Sequence, residues 1–88
     1  MKVGETMTKN SALQERKNAV FARGQGNAYP VYVKEARNAE VFDVDGNRYI
    51  DFATGIAVCN TGHSHPEVVK AVTEQVSQFS HTCLMVNP

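Results

Sequence analysis

The chain has 88 residues, and nine lysines plus arginines balance nine aspartates plus glutamates, so its formal charge at neutral pH is zero. That length allows one small domain at most, burying only about 60–65% of the surface of its unfolded chain. Balanced charge gives no electrostatic reason to bind nucleic acid or an anionic membrane, and no apolar run approaches the roughly 20 residues that span a bilayer.

Met1-Lys2-Val3-Gly4-Glu5 leads into polar residues, which argues against a secretory signal. Two cysteines, Cys59 and Cys83, do not make a disulfide framework and suit a reduced, cytoplasmic protein. Residues 1–10 are polar and expected to be mobile. A helix is predicted next, with Ser11 as N-cap and Gln14 three residues later in a capping-box arrangement. Leu13, Val20 and Phe21 give it a thin apolar stripe, Arg23 suits its C-terminal dipole, and Gly24 is placed to close it in the left-handed region. Gly24–Asn27 reads as loop, and Ala28-Tyr29 before Pro30 favours extended backbone. Val31-Tyr32-Val33 reads as a short edge strand or an extended arm, and Glu35–Asn38 as a polar turn.

Asp45-Gly46 between two alternating runs predicts a β-hairpin. A two-residue loop pairs Asp43 with Arg48, Phe42 with Tyr49 and Val41 with Ile50, and sets Glu40 against Asp51, where pairing should end. A bulge at Gly46 would shift these pairs. Ala53–Val58 is small and apolar, with Gly55 allowing close backbone approach. Asn60–His65 reads as loop, Pro66 fits the first position of a helix, and Glu67 complements its dipole. Val68, Val69, Val72, Val76 and Phe79 follow helical spacing and are read as a buried face of a helix running to Phe79 or Ser80.

Several residue groups invite a chemical reading. His63-x-His65, with Cys59, Cys83 or His81, suggests a metal, but zinc sites bring paired ligand spacings that are missing here. Loop histidines bonding backbone around a helix start explain the pattern better. Cys59 stands in an apolar segment, where a thiol behaves as a small hydrophobe. The glycines lack the strand–loop–helix context of a phosphate cradle. Asp45 is explained by the turn and Asp43 by Arg48, and the aromatics read as packing. No residue is assigned as catalytic, cofactor-binding or metal-binding on these grounds. A hairpin needs a third strand or a helix to be stable, and a valine-faced helix needs a partner. The core is therefore expected to be completed by residues absent from this chain.

Val41–Phe52, Gly55–Val58, Asn60–His63, His65-Pro66 and Gln78–Thr82 together resemble the class III (ω-amino-acid) aminotransferases, which use pyridoxal phosphate. The likeness covers most of residues 14–88 and is nearest to the members acting on 4-aminobutyrate. It implies an α/β fold class, here an α+β fragment: the amino-terminal part of the small domain of a type I pyridoxal-phosphate-dependent transferase fold. On that basis residues 11–88 hold the amino-terminal helix, hairpin and first helix of this domain, incomplete and without the cofactor domain. The implied reaction moves the terminal amino group of 4-aminobutyrate, or a similar ω-amino acid, to 2-oxoglutarate in a homodimer or homotetramer. Other members of the family act on 5-aminovalerate, ornithine, acetylornithine or a diamine. Ile56 matches a position that lines the substrate pocket in the 4-aminobutyrate enzymes, whereas Thr54 and Cys59 depart from the expected residues. None of Lys2, Lys9, Lys17, Lys34 or Lys70 matches the family's lysine motif, so the cofactor is expected to be bound by residues outside this chain, which alone should be inactive. The rival reading is a non-catalytic binding module, which would have to fold independently.

Overall fold

A computed structural model describes residues 7–87. The order is α1 (Lys9–Val20), β1 (Val33–Arg37), β2 (Glu40–Asp43), β3 (Arg48–Ile50), α2 (Thr54–Ala57, one turn) and α3 (Pro66–Gln78). The expected mobile segment at residues 1–6 lies outside the described residues, but Thr8, Lys9 and Asn10 belong to an ordered helix start.

That start corrects the expected cap. Thr8 is the N-cap of α1 and Ser11 is its third helical residue: the Ser11 amide donates to the Thr8 hydroxyl, and the Thr8 amide donates to the Ser11 hydroxyl. The next two amides, of Lys9 and Asn10, donate to the two carboxylate oxygens of Asp45 at 2.8 and 2.9 Å. A carboxylate is well placed there, against the positive end of the helix dipole. It arrives from 35 residues away in sequence, so no local pattern announces it. At the other end, α1 stops at Val20 and not at Gly24, because Phe21 turns extended while its amide still bonds the Lys17 carbonyl.

The strands form one antiparallel sheet in the order β1-β2-β3. Glu35, Ala36 and Arg37 lie within β1, not in a turn, and Arg37 pairs with Glu40. The reversal is confined to Asn38-Ala39, with Asn38 at a positive φ of 52°, a conformation asparagine tolerates. The β2–β3 hairpin also departs from the expected two-residue loop. Gly46 sits at φ 85° and donates to the Asp43 carbonyl, while the Asp43 amide donates to the Asn47 carbonyl. This is the three-residue connection with a glycine bulge, and the extra residue moves the register by one. Phe42 faces Arg48, Val41 faces Tyr49 and Glu40 faces Ile50. Arg48 consequently bonds Glu40 at 2.8 Å and not Asp43.

Released from Arg48, Asp43 turns inward and becomes fully buried. Its Oδ1 accepts from the amides of Asp45 and Asn47, and its Oδ2 from the side chains of Asn10, Asn47 and Tyr49, all at 2.8–3.0 Å. Burial alone would raise the carboxyl pKa. The bonds from Asn47, Tyr49 and Asn10 outweigh it and hold the group well below the usual carboxylate range.

Polar bonding is the chief long-range link among the described residues, none of whose apolar side chains is buried. The radius of gyration is 17.8 Å, against about 12 Å for a compact chain of this length. α3 follows its expected boundaries, with Pro66 first and Phe79 as C-cap. Its valine face is nevertheless open: Val68, Val69, Val72 and Val76 are all about half exposed or more. The expected buried face is thus corrected, because no described element lies over it.

Two outcomes follow. Calorimetry of the isolated chain should show no cooperative unfolding, since cooperativity needs a shared apolar core. A sharp transition would favour the self-sufficient module. The Asp43 pKa is lowered by folding, so its contribution is fully present above the unfolded value and is lost as pH falls through the folded one. Protection of the Asp45 and Asn47 amides, read by hydrogen exchange, should therefore survive below about pH 4 and vanish in Asp43→Ala at neutral pH.

Candidate functional site

The loops after β3 gather around one carboxylate. Asp51 Oδ1 accepts the Thr54 amide at 2.8 Å, and its Oδ2 bonds His63 Nε2 at 2.6 Å. Both side chains are largely shielded, at 17% and 22% exposure. The hydrogen bond from His63, and then that from the Thr54 amide, lowers the Asp51 pKa. His63 is held through its backbone as well, exchanging two amide–carbonyl bonds with Asn38 at 2.8 and 2.9 Å. Gly62 makes that approach feasible. It sits at φ 84°, and a Cβ there would lie 2.8 Å from Asn38 Oδ1 and 3.0 Å from Asn38 Cα.

From this base rises α2, which has a left-handed sense. Thr54, Gly55, Ile56 and Ala57 have φ of 51°, 65°, 60° and 62°. Three of the four carry a side chain, and two of those are β-branched, the class least tolerant of positive φ. Left-handed backbone costs about 1–2 kcal/mol per such residue. Strain of this kind gathers at ligand sites and switches, and persists only where the surroundings enforce it. At the crest, Ile56 is 91% exposed and nearby Phe52 is 93% exposed. Within these residues Ile56 is not a core side chain; it is held outward.

The other sequence candidates are dispersed. His65 caps α3, its Nδ1 accepting from the Glu67 amide at 3.2 Å, while His63 serves Asp51. The expected bonding to backbone at the helix start holds for the His65 ring, whereas the His63 ring bonds the Asp51 carboxylate instead. Cys59 is half-buried beside the α2 turn and Cys83 is exposed, both as free thiols. Among the described residues no three His, Cys, Asp or Glu side chains converge, and no helix is long and apolar enough to cross a membrane. Asp51 and Asn38 escaped the sequence reading because their partners lie 12 and 25 residues on, across loops. The one local signal was Gly62, a glycine directly before a histidine.

Residues 20–88 match the class-III aminotransferases, and the chain belongs to that family. It is 52% identical over 77 residues to the 5-aminovalerate aminotransferase of Pseudomonas aeruginosa, covering 88% of this chain and 18% of that protein. It is 48% identical over 80 residues to the 4-aminobutyrate aminotransferase of Escherichia coli, covering 91% and 19%. The chain thus spans about a fifth of the length of these relatives. Its α+β arrangement matches the fold of solved members. An acetylornithine aminotransferase from Elizabethkingia anophelis superposes with a TM-score of 0.86 at 28% identity, over 93% of this chain and 21% of that one. A transaminase solved with PLP bound gives 0.78 at 33% identity, over 90% and 20%. Members of the family depend on pyridoxal phosphate and act on amino-acid and oxo-acid substrates.

The described residues do not themselves fit that cofactor. Lys17 bonds Asn27, Lys70 faces Glu74, and Lys9 and Lys34 are exposed on α1 and β1, so none of the described lysines is sheltered beside a phosphate cradle.

Gly62→Ala should break the seam between the loops. The left-handed φ alone costs about 1–2 kcal/mol, and the new methyl displaces Asn38. Exchange protection of the Asn38 and His63 amides is expected to be lost, whereas the Asp43 hairpin keeps its own.

Proposed function

We propose that this chain is the amino-terminal part of a pyridoxal-phosphate-dependent transaminase that moves the terminal amino group of 4-aminobutyrate, or a similar ω-amino acid, to 2-oxoglutarate. The supporting observation is the outward-held Ile56 at the crest of a strained turn, in a chain belonging to the class III family. We assign Ile56 to the wall of the donor pocket, where an apolar side chain would pack on the methylene chain of the substrate. Identities of 52% and 48% to the two kinds of relative favour four- and five-carbon donors together over ornithine, acetylornithine or a diamine.

The cofactor supplies the electron sink of transamination. The groups that would hold it, and the lysine of the reaction, we place outside these 88 residues. The open valine face of α3 and the absence of a buried apolar side chain among the described residues support that division, since the small domain would be completed by the rest of a larger enzyme. On this reading the chain alone has no turnover, the whole enzyme works as a homodimer or homotetramer, and the free thiols suit a cytoplasmic setting.

The test is turnover by the full-length enzyme on 4-aminobutyrate, 5-aminovalerate, ornithine and acetylornithine with 2-oxoglutarate. The two simple ω-amino acids are expected to give the highest kcat/KM, and Ile56→Ser to lower both by about tenfold or more. Preference for ornithine, or indifference to Ile56→Ser, would count against the assignment.

A further inference from the structure

We propose that Asp51 is a positioning residue for this reaction: braced by His63, it sets the pitch of the Thr54–Ala57 turn and through Ile56 the choice between four- and five-carbon donors. The inference rests on the reading of Ile56 as a pocket wall.

Three side-chain-bearing residues at positive φ will not hold that conformation unaided. Among the described residues, the one side-chain hydrogen bond into the turn is from the Thr54 amide to Asp51 Oδ1. Asp51 is not free to swing. Its amide donates to the Ala39 carbonyl at 2.8 Å, and its second oxygen is taken by His63 at 2.6 Å. His63 is in turn clamped to Asn38, the neighbour of Ala39. Both supports of the carboxylate therefore lead back to one two-residue turn, Asn38-Ala39, on the rigid sheet. Thr54 opens the turn and Ile56 lies two residues further on, so loosening the Thr54 amide displaces the Ile56 side chain. The competing donors differ by a single methylene. A displacement of about 1.5 Å, one carbon–carbon bond, is enough to favour one over the other.

The experiment measures kcat/KM for 4-aminobutyrate and 5-aminovalerate on the purified full-length holoenzyme and takes their ratio. Ile56→Ala is expected to shift the ratio about tenfold. Asp51→Ala should shift it comparably, and the double variant should shift it no further, because both changes act through one side chain. Asp51→Asn retains an oxygen for the Thr54 amide and should recover most of the wild-type ratio, which a purely global loss of stability would not produce. If Asp51→Ala does not fold, His63→Phe removes the brace while keeping a ring, and should move the ratio in the same direction. If Ile56→Ala leaves kcat/KM for both donors unchanged, the pocket reading and this role with it are overturned; if it lowers both equally and leaves the ratio unmoved, this role alone is overturned. A ratio that moves in Ile56→Ala but not in folded Asp51→Ala or His63→Phe, or effects that multiply in the double variant, overturns the positioning role alone.

Discussion

The buried carboxylate of Asp43 is the interaction on which the order of this chain depends. It joins three pieces that share little apolar contact: Asn10 of α1, the Asp45–Asn47 turn, and Tyr49 of β3. An ionised side chain is costly to bury unless every lone pair is used, and here five donors meet two oxygens. The same turn projects Asp45 onto the first amides of α1, so one hairpin both seats the helix and caps it. This is a polar keystone in place of a hydrophobic one.

A second carboxylate repeats the device further along. Asp51 ties the strained turn to His63 and so to the Asn38 reversal. Among the described residues neither carboxylate is matched to a lysine or arginine; each is satisfied by amides, hydroxyls, carboxamides or an imidazole. Such groups impose direction as well as attraction, which suits segments whose task is to hold a loop at a fixed angle. The apolar residues tell the complementary story. Ile56, Phe52, Leu84 and the valines of α3 face outward, in keeping with the proposal that this chain is the amino-terminal part of a transaminase.

What could be read without a structure was whatever depends on near neighbours. Pro66 at a helix start, the valine spacing of α3, the hairpin at Asp45-Gly46 and the bond of His65 at the start of α3 all rest on contacts within a few residues, and the structure agrees with each. The family resemblance was legible too, because it lies in a string of residues. The failures share a cause. Ser11 lost the cap to Thr8, Glu35–Arg37 became strand, and Asp43 lost Arg48, each time because a distant group or one bulged residue altered the balance between near-equal local options.

The sequence by itself determined the hairpin and α3, the family and the apolar character of Ile56, but not the extent of β1 or the turn α2. Only the tertiary structure decided the register of the hairpin, the inward turn of Asp43, and the left-handed crest braced by Asp51 and His63. A one-residue shift reverses every partner along a strand, and a strained turn exists only through the contacts that enforce it. The register turns on the bulge at Gly46, an alternative the sequence left open, whereas the crest is held by Asp51 and His63, which meet it only after the chain has folded.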